Sequence, residues 1–554
     1  MKVAFLGNYS IQFLVKLFKT RNPDYSIYEG LYNSVDTEIL NPLSDIYSFK
    51  PDILVVHESY FTIQDHFYST DNNGLKATQF YEEKTTRIIH LIEFIKSKIP
   101  HIKIIYPLLL EYDDSVFGTH SLKSPKSLLY QVRMYNNEII RYSQSNDHLL
   151  PINPLNYKDN NLANRNSLYF NADLHFTTEY LEVLSNRITQ IINSIKGLIT
   201  KCIVLDLDNT LWGGIVGEDG PLHIKIGDSG EGKYYKKLQL WLKQLKNRGI
   251  ILAVCSKNDE EMAREPFLKN PNMILQLADF SIFVANWENK ADNIRLIKES
   301  LNIGYDSILF LDDNPAEREI VRQLIPEVVV PELPKDLTDS LDFLIQKNLF
   351  ENRYFSENDK DRTLQYRAEF NRLKTKLNYN SIDEYLKSLG MIGIVRDFNP
   401  EDSDRISQLT LRSNQFNLRT IRYSKEEILD LITKPDYLTF TLKLSDKFGD
   451  HGLVGIAIIK LLNNQEAFLD SFLMSCRVLK RGAEDFLLNH LLFSLKSLKI
   501  RSLKGQFIRT KKNKLVNDFF ENHQFRLEEK SESSYFLEVA KYKMIKNYIT
   551  NENE

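Results

Sequence analysis

Short apolar runs that end in small or polar residues recur along the first third of the chain, at 3–7 (VAFLG), 52–59 (DILVVHES) and 103–110 (KIIYPLLL). Stretches with helical spacing lie between and after them, around 85–99 and 179–196. Alternating strand and helix signals predict a mostly parallel α/β sheet that closes near Gly197. The next region repeats the rhythm. The run KCIVLDLDNT (201–210) is a strand ending in carboxylates, and the stretch 234–249 carries Leu238, Trp241, Leu242 and Leu245 at helical spacing before a stop at Gly249. Strands follow at 250–259, 280–287 and 306–314, which makes a doubly wound parallel sheet whose ligands bind beyond the carboxyl ends of the strands. A charged helical stretch at 356–376 reads as a connector. The last region mixes strands at 451–462, 466–475, 502–508 and 534–540 with helices at 481–498 and 516–525, which is an α+β pattern. The predicted boundaries are 1–197, 198–345, a connector over 346–380, and 381–548.

At about 150 residues per domain, length alone allows three or four domains. The charge balance, 71 basic against 74 acidic residues and a net charge of −3, offers no reason to expect nucleic acid or an anionic membrane as a partner. No run of about 18 uninterrupted apolar residues occurs, so no membrane span is expected. Asn8, Tyr9, Ser10 and Gln12 interrupt the apolar start, which reads as a buried strand rather than a signal segment. Three cysteines make neither a disulfide framework nor a Cys-rich zinc site, and a cytoplasmic location is expected.

The polar strand ends of the second region carry chemistry. Asp206, Asp208 and Thr210 end the first strand, Ser256 the second; Lys290 follows the third, and Asp312 and Asp313 end the fourth. In a parallel sheet these groups converge on one crevice. Phosphoryl transfer needs this set: a carboxylate nucleophile (Asp206), a second carboxylate as general acid and base (Asp208), and hydrogen bonds and positive charge for the phosphoryl oxygens from Thr210, Ser256 and Lys290. The concentrated negative charge calls for Mg²⁺, with Asp206, Asp208, Asp312 and Asp313 as its candidate ligands. A solvated acidic turn would account for one D-x-D, but not for four groups in order. One helix with its loops uses most of the gap between Asp206 and Ser256, and no large cap fits before Lys290 either, so the crevice is expected to be open or covered by the other regions.

These motifs resemble the haloacid dehalogenase (HAD) superfamily. LDLDNTLWGGIVGEDG (205–220), LAVCSKND (252–259), FVANWENKADNI (283–294) and FLDDNPAERE (310–319) narrow the resemblance to the FkbH-like family, as do TLRSNQFNLRTIRYS (410–424), DKFGDHGLVGIAI (446–458), FLMSCRVLKRGAEDFLL (472–488) and KNKLVNDFF (512–520). That resemblance implies a glyceryl transferase and phosphatase. Such a protein takes the glyceryl group of 1,3-bisphosphoglycerate, loads it as a thioester onto the phosphopantetheine arm of an acyl carrier protein, often for polyketide assembly, and removes the remaining phosphate. A plain Mg²⁺-dependent phosphatase and a non-catalytic docking scaffold for carrier proteins are the competing readings.

A protein-borne thioester needs a thiolate. Cys255 precedes Ser256, although strand alternation points it to the opposite face; Cys476 precedes a basic turn, in the expected cleft of the last region; Cys202 starts a strand at the far end from the carboxylates. The last region resembles the GNAT acyltransferase fold, in which a splayed strand pair and a helix N-terminus bind the pyrophosphate of acetyl-CoA. Here Glu484 and Asp485 put negative charge at that helix start, which disfavours ordinary CoA binding and leaves open a bare phosphopantetheine arm, which lacks the pyrophosphate, or a scaffold without a ligand. His451, in a polar turn, is a possible base. The first region resembles SGNH hydrolases through Ser10, Asp173 and His175, the residue types of their triad. Ser10 stands one residue from the usual Gly-Asp-Ser placement, and a docking domain is the favoured reading.

Overall fold

The computed structural model describes residues 1–69, 78–113, 115–153, 163, 165–352, 379, 381–528, 531 and 533–552. The helical connector expected at 356–376 lies outside the described residues. The described chain forms two compact units, one of residues 1–192 with 346–348, the other of the remainder.

The first unit holds a five-stranded, all-parallel sheet of β1 (Lys2–Gly7), β2 (Ser26–Glu29), β3 (Ile53–His57), β4 (Lys103–Pro107) and β5 (Leu149–Ile152), in the order β2-β1-β3-β4-β5. Helices α1 (Gln12–Arg21), α2 (Phe80–Lys98), α3 (Leu128–Gln144) and α4 (Thr178–Ile195) accompany it. Ile88, Leu91, Ile92 and Ile95 of α2 recur three and four apart and are buried, which is the stripe the periodicity predicts. β2 and β5 escape a reading by apolar runs, because SIYE is half exposed and LLPI is only four residues long.

The second unit contains two sheets. One is parallel, with β6 (Cys202–Leu205), β7 (Ile251–Ser256), β8 (Phe280–Ala285) and β9 (Ile308–Leu311) in the order β8-β7-β6-β9. These strands are almost wholly buried, as a sheet covered on both faces requires. Helices α5 (Gly232–Asn247), α6 (Glu260–Lys269), α7 (Lys290–Leu301) and α8 (Pro315–Leu324) follow successive strands. The order turns at β6, which continues to β7 on one side and pairs with β9 on the other. That switch point is where a doubly wound sheet opens a crevice.

The other sheet is mixed and GNAT-like, the expected α+β arrangement. It runs β15-β16-β14-β13-β12-β11-β10-β17, from β10 (Met391–Arg396), β11 (Tyr437–Asp446), β12 (Gly449–Leu461), β13 (Glu466–Met474), β14 (Ser502–Gln506), β15 (Arg526–Leu527), β16 (Ser534–Glu538) and β17 (Ile549–Asn551). Helices α9 (Ser403–Arg412) and α10 (Lys425–Thr433) precede β11, and α11 (Ala483–Ser497) joins β13 to β14. The helix predicted at 516–525 is reduced to the single turn Phe519–Asn522, and the chain leaves it through Gln524 in a left-handed conformation (φ 68°).

Candidate active site

β6 and β9 run in register, with Leu205 opposite Leu311, so the residues that follow them become neighbours. The Asp206 amide donates to the Leu311 carbonyl at 3.0 Å, which sets Asp206 beside Asp312. Lys290 is the first residue of α7, whose N-cap Asn289 accepts from the Ala291 amide. Its Nζ lies 3.0 Å from Asp206 Oδ1 and 2.5 Å from Asp312 Oδ2, and all three side chains are buried. Ser256, the buried last residue of β7, stands close enough to Asp206 to favour its charged form. Thr210 Oγ1 accepts from the Asp313 amide at 3.1 Å and ties the first strand-end loop to the last. Sequence position thus places Asp206, Thr210, Ser256, Lys290, Asp312 and Asp313 at one end of the sheet, and the structure brings them together.

The electrostatics follow from burial. Burial raises the pKa of Asp206, and Lys290 opposes the rise. Burial and the neighbouring charge of Asp206 push Asp312 up to about 6. Burial and the charge of Asp312 raise Asp313. Burial alone would lower the pKa of Lys290, but the two carboxylates more than reverse it, and the ammonium is held charged.

Oxygens of Asp206, Asp312 and Asp313 lie within 4.8 Å of one another. Three carboxylates against one ammonium leave an excess of negative charge in a buried, all-oxygen site, and that donor set fits Mg²⁺. The metal reading needs one correction. Asp208 does not join the cluster, because its carboxylate is taken up by Trp212 Nε1, the Val216 amide and Asn258 Nδ2 at 2.9, 3.0 and 3.1 Å. Without metal, folded Asp312 keeps its proton above the ordinary carboxylate value, so stability falls as pH rises from about 4 to about 6. Mg²⁺ should offset that loss. The rise in melting temperature on adding Mg²⁺ is therefore expected to be larger at about pH 7.5 than at about pH 5, and an equal rise at both would contradict the assigned ligands.

Three supporting residues were missed in the sequence: Trp212, Asn258 and Arg318. Arg318 Nη1 donates to the carbonyls of Asp312 and Asp313 at 2.9 and 2.8 Å and holds the two-aspartate turn. Their only signal is position, each lying a few residues beyond a motif residue.

The cysteines stand elsewhere. Cys255 is fully buried in the apolar layer beneath the sheet with Cys202, Val204 and Ile294, and its Sγ faces the Lys290 carbonyl at 3.7 Å. Burial pushes its thiol up to about 12, so as folded here Cys255 is a neutral core group and not a crevice thiolate. Cys202 is buried in the same layer. Cys476 is half-buried and borders a cavity of about 500 Å³ with Lys201, Ser307 and Arg412. Lys201 and Ser307 precede β6 and β9, so this cavity lies at the end of the parallel sheet opposite Asp206. Cys476 therefore borders a cavity shared by the parallel sheet and the last region, at the far end of that sheet from Asp206.

The cleft expected in the last region is filled by the chain itself. β13 and β14 pair over Glu466–Leu469 and Ser502–Gly505 and then diverge. Residues 416–418 enter the gap: the Met474 amide donates to Phe416 O, Leu418 N to Phe472 O, and Ile508 N to Leu418 O, at 3.1, 3.3 and 2.9 Å. Among the described residues, 416–418 thus bridge the two diverging strands where the cleft was expected. His451 is buried against Asp446 (3.1 Å) and Arg481 (3.4 Å), a structural cluster rather than an exposed base. In the first unit, His175 Nδ1 meets Ser59 Oγ at 2.6 Å, and its Nε2 meets Asp173 at 3.2 Å. The partner is Ser59, not Ser10. Ser59 is fully buried while the Asp173 side chain is 69% exposed, the reverse of what a hydrolytic triad needs.

Comparison with known proteins agrees with this geometry. The model of the FkbH N-terminal domain matches residues 2–193. The N-terminal part of the Bacteroides fragilis protein BF1531, which contains a phosphatase domain and was crystallised in complex with Mg, is 40% identical; the match covers 64% of this chain and 95% of that one, with a TM-score of 0.60. The chain belongs to the FkbH-like family of the HAD superfamily. This FkbH-like protein therefore carries a phosphatase-type domain on its parallel sheet. It is also similar to Ard1 from Thermoplasma volcanium, at 18% identity over 26% of this chain and 94% of that one (TM-score 0.21). No protein with a curated description matches it. No helix among the described residues is long and apolar enough to cross a membrane.

Proposed function

We propose that this protein transfers the glyceryl group of 1,3-bisphosphoglycerate to the phosphopantetheine thiol of an acyl carrier protein, through a cysteine thioester, and removes the remaining phosphate at Asp206. The observation that carries the phosphoryl half is buried Lys290 bridging Asp206 and Asp312, with Thr210 and Ser256 beside them. Family membership supports the glyceryl half.

The residues divide the work as follows. Asp206 attacks phosphorus, and the bond from phosphorus to the leaving oxygen breaks. That oxygen takes a proton from Asp208. Asp208 then takes a proton from the attacking water, and phosphate leaves Asp206. Lys290, Ser256 and Thr210 hold the phosphoryl oxygens or the loops around them. Mg²⁺, held by Asp206, Asp312 and Asp313, supplies charge neutralisation when bound.

In the transfer half, sulfur attacks the acyl carbon, and the carbon–oxygen bond to phosphate breaks with loss of phosphate. Loading of Cys255 requires the Lys290 turn above it to move, whereas loading of Cys476 puts the thioester at the far end of β6. Intact-protein mass spectrometry with 1,3-bisphosphoglycerate and Mg²⁺, followed by the holo carrier protein, tests the reading. The expected result is a glyceryl adduct on one cysteine that the carrier discharges. Phosphate release with enzyme and carrier unmodified would establish the second reading, a plain phosphatase, which is favoured by the absence of a cysteine thiol facing the crevice.

A further inference from the structure

Asp208 stands apart from the other three carboxylates, and its surroundings hold it there. Trp212 Nε1 and the Val216 amide both donate to Oδ1, and Asn258 Nδ2 donates to Oδ2. The donors come from two loops. Trp212 is fully buried and meets the Phe267 ring edge-on at 5.5 Å, so its N–H cannot swing away. The turn between Asp208 and Val216 is built tightly. Asn209 is left-handed (φ 55°) and its Oδ1 accepts from the Gly214 amide at 2.8 Å. Gly214 has φ 95°, and a Cβ there would lie 2.2 Å from Asp219 Oδ2, so only glycine fits. Asp219 Oδ2 accepts from the Ile215 amide at 2.9 Å, which sets the next amide, Val216, on Asp208. Across the crevice, Asn258 Oδ1 accepts from the Asp259 amide at 2.9 Å, so its Nδ2 faces Asp208.

We infer that Trp212 and Asn258 are positioning residues for proton transfer by Asp208. The inference rests on the phosphoryl-transfer reading above and assigns a job to two residues outside its motif set. A loose carboxylate two residues from Asp206 would be drawn to the divalent cation and lost to acid catalysis. Held by three donors, it stays out of the cluster. Oδ1 is saturated by two donors while Oδ2 takes one, so Oδ2 keeps a lone pair for the proton in transit between Asp208 and the leaving oxygen.

The test compares leaving groups in the full-length protein with Mg²⁺. p-Nitrophenyl phosphate departs as a weakly basic phenolate that needs no proton, whereas an alkyl phosphate such as 3-phosphoglycerate departs as an alkoxide that does. Trp212→Phe deletes the N–H and keeps a ring in the core, and Asn258→Ala deletes the other donor. Each is expected to cut kcat/KM, which reports the steps through departure of the leaving group and not the later hydrolysis common to both substrates, at least about tenfold more for the alkyl substrate than for the aryl one, in the direction that Asp208→Asn shows more strongly. A merely structural role lowers both rates together, and equal losses would overturn the inference. If Trp212→Phe fails to fold, Asn258→Ala carries the comparison. Wild-type protein that releases phosphate from neither substrate, or Asp206→Asn protein as active as wild type, defeats the phosphoryl reading itself. An active wild type with equal losses defeats the positioning role alone.

Discussion

Replacing Asp206 with asparagine is expected to cut phosphate release about a thousandfold or more while the protein stays folded. The amide keeps the shape of the side chain but cannot form the acyl phosphate. It also removes one of the negative charges facing Asp312, whose pKa is raised by burial and by that charge, so the metal-free variant should melt no lower than wild type near neutral pH. Phosphate release and thermal melting on the same samples separate the two effects. Wild-type release would remove Asp206 from the nucleophile's role. Lost release with a collapsed melting temperature would point to structure instead.

Lys290→Met carries the largest expected stability cost. The lysine is 3% exposed and is shared by two buried carboxylates. Removing the cation from a buried pair leaves uncompensated charge, which costs roughly 3–5 kcal/mol. Urea denaturation at neutral pH should show a loss of that size in the metal-free protein. The deficit should shrink near pH 5, because a proton shared between Asp206 and Asp312 relieves their repulsion, and a deficit independent of pH would mean that lost packing is responsible. Phosphate release should vanish at either pH, since Lys290 also supplies positive charge to the phosphoryl oxygens.

Much of this was legible along the chain because the chemistry is local to motifs. Asp206, Thr210, Ser256, Lys290, Asp312 and Asp313 each sit at or just beyond the carboxyl end of a strand whose apolar run marks it plainly, and a parallel sheet gathers such ends by construction. Elements without a strong run were less legible. The short strands β2 and β5 draw their stability from pairing with neighbours far along the chain, and the brief helix at Phe519–Asn522 is ended by a left-handed residue that periodicity does not register.

The sequence by itself determined the succession of strands along the chain and the carboxylates at their ends in the phosphatase-type region, and strand alternation already pointed Cys255 away from Ser256. Tertiary structure alone decided the rest. It separated Asp208 from the metal-binding carboxylates, replaced Ser10 by Ser59 as the partner of His175, moved Cys476 to the opposite end of the sheet from Asp206, and filled the gap between β13 and β14 with residues 416–418. For His175, Cys476 and the β13–β14 gap the deciding partner lies far away in sequence, and for Asp208 one distant donor, Asn258, joins two local ones aimed by a tight turn. Where a polar side chain or an unpaired strand edge ends up depends on which distant donor or segment reaches it, because a buried polar group must be satisfied by whatever the fold brings alongside.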